Sequence, residues 1–115
     1  MGMDAYIEID GDRVDSYKCR DANIALFDCR KDKQCKVKYH CEEGYGYNIL
    51  NVYIRDVITG KVYREKRYTY DDLHTITFPD ECKEIGEVYA CIRGEYHRHN
   101  RVKFTTKRWK QDYIN

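Results

Sequence analysis

Apolar and polar residues alternate along much of this chain with a period of two, the spacing of a strand that turns one face inward. Residues 5–10 alternate, meet Asp10-Gly11 and are followed by 13–19. That order predicts a β-hairpin, because Asp-Gly suits the left-handed turn joining two antiparallel strands. Residues 36–41 alternate again, and 42–46 turn the chain. Residues 48–57 and 62–70 then flank Ile58-Thr59-Gly60-Lys61, which predicts a long antiparallel hairpin. Further short strands are expected over 73–78, closed by Pro79-Asp80, and over 87–93 and 102–106, on either side of the polar stretch 94–101. One segment breaks the pattern: Ile24, Ala25, Leu26 and Phe27 form a continuous apolar run that suits a helical turn or a buried strand equally. The reading adopted is a short helix near 21–29, beginning after Asp21. In the tail, 107–115, Trp109, Tyr113 and Ile114 suit an amphipathic turn of helix docked on the domain.

These elements predict a mainly β fold of about seven short strands, an antiparallel sandwich or a curved sheet, with an α+β ribonuclease-like arrangement as the variant. Residues 1–115 are read as a single domain, since a second core would leave each half too small to stand alone and no Ser, Gly or Pro-rich linker interrupts the chain. Composition strengthens the strand reading: twelve tyrosines and three phenylalanines but one proline favour pleated, half-buried surfaces.

Charge nearly cancels, at +1, so no global field draws the chain to nucleic acid or to a membrane. No stretch approaches the ~20 apolar residues that span a bilayer. The charges are nevertheless segregated. Acidic residues dominate 1–16 and 71–87, whereas 93–110 holds seven Lys or Arg against Glu95 alone.

Six cysteines, Cys19, Cys29, Cys35, Cys41, Cys82 and Cys91, are even in number and dense for an intracellular domain. The expectation is a disulfide-stabilised, secreted protein. The absence of Cys-x-x-Cys argues against a zinc ribbon or a thioredoxin-like site. Six cysteines allow fifteen complete pairings. Cys35 and Cys41, if on one strand, lie ~20 Å apart at ~3.3 Å per residue, too far to bond to each other. The N-terminus lacks the apolar core of a signal peptide, so Met1 and Gly2 are read as a cloning scar on a mature chain.

Tyr17-Lys18-Cys19 resembles the Tyr-x-Cys motif near the mature N-terminus of small secreted effectors of powdery mildew fungi. The resemblance implies a ribonuclease-like fold without its activity, and a virulence or avirulence role at the host–pathogen interface. Rust and blast fungi secrete unrelated β-sandwich effectors of similar size.

An enzymatic alternative is drawn from His40 or Glu65 as base, Arg67 or Arg93 as phosphate clamp and His97 or His99 as acid, the groups that RNA cleavage to a cyclic phosphate needs. Their order is similar to that of small fungal guanyl-specific ribonucleases. A third alternative, a zinc-stabilised intracellular domain, draws on Cys35, His40, Cys41, His97 and His99, but no spacing among them is specific for metal, and no metal or other cofactor is expected.

The favoured interaction surface is the basic, aromatic C-terminal third: Arg93, Tyr96, Arg98, Arg101, Lys103 and Trp109. Arg, Tyr and Trp anchor protein interfaces, and the same mixture can stack bases and hold phosphates. Near-neutral net charge favours a protein. The leading expectation is therefore a secreted, monomeric, non-enzymatic effector that acts inside host cells on a host protein, an immune receptor or its target. Nucleic acid is the second choice of partner.

Overall fold

The computed structural model describes residues 5–15, 22–41, 49–69, 72–92, 94–97 and 102–105, with 14, 15, 64–66, 68, 69 and 102–105 described by their backbone. At the first hairpin, φ is 54° at Asp10 and 88° at Gly11. Positive values at both central positions make a two-residue turn whose twist matches that of its strands. The turn joins β1 (Ala5–Ile9) to β2 (Asp12–Asp15), with Ile9 opposite Asp12. β4 (Gln34–Cys41) pairs with β1 and β7 (Leu73–Thr77) with β4, giving an antiparallel sheet of order β2-β1-β4-β7.

The expected long hairpin is β5 (Ile49–Asp56) with β6 (Val62–Thr69). Asp56 organises its turn: Oδ1 accepts the N–H groups of Ile58 and Thr59 at 2.9 and 3.1 Å, and its carbonyl accepts that of Gly60 at 2.7 Å. Opposite Val52 and Tyr53 the register steps from Lys66 to Arg64, so Glu65 is the extra residue of a β-bulge. β8 (Ile85–Ile92) pairs with β5.

The apolar run at 24–27 is not a helix. It lies in β3 (Ala22–Asp28), antiparallel to β8 and parallel to β9 (Val102–Thr105), and the second sheet has the order β6-β5-β8-β3-β9. All seven residues of β3 and all eight of β8 are buried. A strand covered on both faces carries no alternation, and this removes the cue that separates strand from helix. The strands number nine among the described residues rather than seven, and one pairing is parallel. The expected tail helix lies outside the described residues.

The two sheets face each other across one core. Ile7, Ile9, Val37, Tyr39 and Ile76 come from the smaller sheet; Phe27, Leu50, Val52, Ile54, Val88 and Ile92 come from the larger. A side-chain hydrogen bond crosses this space: buried Asn23 of β3 donates its amide to the Ile7 carbonyl of β1 at 3.0 Å. The architecture is thus the expected mainly β sandwich.

The expected disulfides are absent among the described residues. Cys29, Cys35, Cys41, Cys82 and Cys91 are buried thiols, most of them packed in the apolar interior as small hydrophobes. β4 carries both Cys35 and Cys41. Cys19 lies outside the described residues.

Candidate functional site

The larger sheet has a second apolar layer on its outer face. Ala22, Ile24 and Leu26 of β3, Tyr89 and Cys91 of β8 and Tyr53 of β5 pack together there, with Tyr96 leaning on them from the segment 94–97. The tyrosines form a triangle. Ring centroids are 4.7 Å apart for Tyr89 and Tyr96, 6.0 Å for Tyr53 and Tyr96, and 6.2 Å for Tyr53 and Tyr89. All three pairs are steeply tilted, the edge-to-face arrangement that aromatic quadrupoles favour.

Each of these rings ties the 94–97 segment down through its hydroxyl. Tyr53 Oη donates to the Gly94 carbonyl at 3.4 Å, and Tyr89 Oη donates to the His97 carbonyl at 3.1 Å. Tyr96 Oη donates to Glu87 Oε1 at 2.7 Å. Burial pushes the Tyr89 phenol up to about 12, because its ionised form would sit in the apolar layer; the neighbouring Cys91 adds to the shift. Glu87 is fully buried, and Arg55, its cross-strand neighbour on β5, brings Nε to 3.6 Å from Oε2. A buried carboxylate needs such partners, and here they include a cation and a hydroxyl.

Where 94–97 crosses the sheet beside β5 it leaves a cleft of about 590 Å³. Ile49, Asn51 and Tyr53 form one wall, Gly94, Glu95 and Tyr96 the other, and Arg67 of β6 stands at the end, opposite Asn51 in the ladder. Asn51 is 6 % exposed, whereas Ile49, Arg67 and Glu95 are open to solvent. The cleft therefore offers a largely buried amide, two aromatic rings, one exposed apolar residue, a cation from Arg67 and a carboxylate from Glu95. This is the makeup of a recognition surface for a polar chain with an apolar or aromatic anchor.

Of the surface expected from sequence, Tyr96 belongs to this site. Lys103 is placed by its backbone in β9, at the edge of the same sheet, opposite Asn23. Arg93, Arg98, Arg101 and Trp109 lie outside the described residues. Asn51, Tyr53, Glu87 and Tyr89 were missed. The signal for them was present: in Ile49-Leu50-Asn51-Val52-Tyr53-Ile54-Arg55 every second residue after Ile49 carries a polar group, which marks a strand face that is not wholly core.

The ribonuclease-like set does not assemble around His40. His40 projects from the outer face of the smaller sheet, stacked on Tyr6 at 4.9 Å, with the Arg13 guanidinium 4.0 Å from the same Tyr6 ring. Arg67 lines the cleft on the far side of the sandwich, and Glu65 occupies the bulge of β6. His97 is exposed beside Glu95, Nε2 to Oε2 4.0 Å. No three His, Cys, Asp or Glu side chains converge to hold a metal ion among the described residues. No helix there is long and apolar enough to cross a membrane.

No family model matches the chain, and no solved structure does. One curated relative corrects the fungal resemblance. Against the three residues of Tyr17-Lys18-Cys19, the similarity to an insect-virus protein runs along nearly the whole chain. The chain is similar to Host range factor 1 of Lymantria dispar multicapsid nuclear polyhedrosis virus, 35 % identical over 118 residues that take in 93 % of this chain and 54 % of that protein, so it spans about half the length of its relative.

Proposed function

We propose that this β-sandwich is a viral host-range determinant that acts without catalysis, by binding a host protein through the cleft between β5 and residues 94–97. Two supports converge on this reading. The relative is named for host range, a property set by how viral and host proteins fit each other. The cleft sets Tyr53, Tyr96, Asn51 and Arg67 around β5, a strand paired on both sides. That cleft is the observation that carries the proposal, since Tyr and Arg on a preorganised scaffold supply most of the energy of protein recognition.

The test uses an insect cell line that restricts a nuclear polyhedrosis virus. Expression of the chain during infection is expected to raise progeny yield by at least about tenfold, and a photo-crosslinker at Ile49 is expected to capture a host protein in those cells. Arg67→Glu with Ile49→Asp alters two exposed positions and is expected to abolish both effects while leaving the circular dichroism and thermal midpoint unchanged. Unchanged virus yield with the wild-type chain would overturn the host-range reading. Full activity of the folded double variant would show that another surface does the binding.

A further inference from the structure

At the opposite end of β8 from the cleft, Cys29 and Cys82 meet. The Cys29 thiol, at the end of β3, points at the sulfur of Cys82 across 3.7 Å, although 53 residues separate them in sequence. Both are buried, at 0 and 2 % exposure. Backbone hydrogen bonds hold each in place: Cys29 N–H donates to the Glu84 carbonyl at 2.7 Å and Cys82 N–H to the Pro79 carbonyl at 2.9 Å. Gly86 makes room for the contact, since a Cβ there would come within 2.7 Å of Cys29 Sγ.

We propose that Cys29 and Cys82 are a redox modification site, a dithiol that closes to a single intrachain disulfide and staples the 79–84 loop to the end of β3. The sulfurs need only close from 3.7 Å to the about 2.05 Å of a bond. The other described cysteines differ. Cys35 and Cys41 share one strand, and Cys91 lies in the outer apolar layer, its sulfur against the Ile92 carbonyl. The pair also has a built-in order of reaction. The Cys29 S–H donates to Cys82 and lowers that thiol's pKa, while the same contact holds the Cys29 thiol up. Access sets the same order: the Cys82 thiol, which donates to the Ile85 carbonyl at 3.7 Å, is the one an oxidant meets first. It sits in a short loop whose neighbours Glu81 and Lys83 are exposed, so opening of that loop admits an oxidant.

With glutathione disulfide as oxidant, the Cys82 thiolate attacks one sulfur and expels glutathione thiolate, forming a mixed disulfide. Cys29, losing its proton, attacks Cys82 Sγ and expels the second glutathione. Two protein thiols are oxidised, one glutathione disulfide is reduced, and the two protons leave on the two glutathiones.

The full chain is equilibrated in glutathione buffers from reducing to oxidising, quenched in acid, denatured, alkylated and digested for mass spectrometry. The expected result is paired loss of alkylation at Cys29 and Cys82, one cross-linked peptide joining them, and a thermal midpoint raised by roughly 10 °C. Cys82→Ala is expected to remove the rise. Peptide mapping of the wild-type chain decides the matter even if that variant misfolds. Retained alkylation of both cysteines in the oxidising buffer, or a bond from either one to a different cysteine, would overturn the proposal.

Discussion

Tyr96 donates a 2.7 Å hydrogen bond to Glu87, a carboxylate with no solvent exposure. The bond joins the connecting segment to the centre of the larger sheet, because Glu87 stands between Arg55 on β5 and Leu26 on β3. Removing the hydroxyl leaves a buried acceptor with one donor fewer. Tyr96→Phe is therefore expected to cost about 2 kcal/mol, measured by urea denaturation. Glu87→Gln should cost less in the Tyr96→Phe background than alone, because the two changes act on one bond.

Alkaline stability follows from Tyr89. An unfolded tyrosine ionises at about pH 10, and the folded phenol is pushed up to about 12 by burial. The folded state thus holds its proton where the unfolded state has lost it. Stability from this group is complete below pH ~10 and declines as pH rises from there towards 12. Tyr89→Phe is expected to flatten that decline, read as the slope of unfolding free energy against pH, although it forfeits the bond to the His97 carbonyl and is less stable at neutral pH.

What could be read in the sequence was what depends on neighbours in the chain. Asp10-Gly11 sets its own dihedral angles, and 48–70 alternates around a local turn, so both hairpins were legible. β3 was not, because its buried outer face depends on Tyr53, Tyr89 and Tyr96 from elsewhere in the sequence. Its parallel pairing with β9 leaves no local trace either. Tyr96 was singled out for its chemistry, but the cleft it helps to form depends on Asn51 and Arg67, which only the β5–β6 register brings beside it. His40 and Arg67 looked like partners in a linear order that says nothing about which side of a sandwich each occupies.

Asn23 brings an amide into the inter-sheet space. Its amide reaches Ile7 across the core, while its Oδ1 is buried without a hydrogen bond among the described residues. Asn23→Asp replaces the donor with a second acceptor in that dry space, and is expected to cost about 3 kcal/mol or more at neutral pH. Protonation restores a donor, so the deficit should shrink as pH falls. A variant whose deficit stays constant from pH 7 to 4 would mean that water reaches this position.

Gly86 sits at the Cys29 end of β8, where a Cβ would approach Cys29 Sγ to 2.7 Å and the Phe78 ring to 2.8 Å. Neither neighbour can retreat easily. Phe78 packs on Phe27 with ring centroids 5.4 Å apart, and Cys29 is held against Cys82. Gly86→Ala is accordingly expected to destabilise the domain by about 1 to 3 kcal/mol through overpacking, with no help from any change in backbone preference. Removing the nearer obstacle should recover only part of the loss, because Phe78 remains. In Cys29→Ala, therefore, the penalty of Gly86→Ala should fall without vanishing, a non-additivity that denaturation of the four proteins of the cycle measures directly.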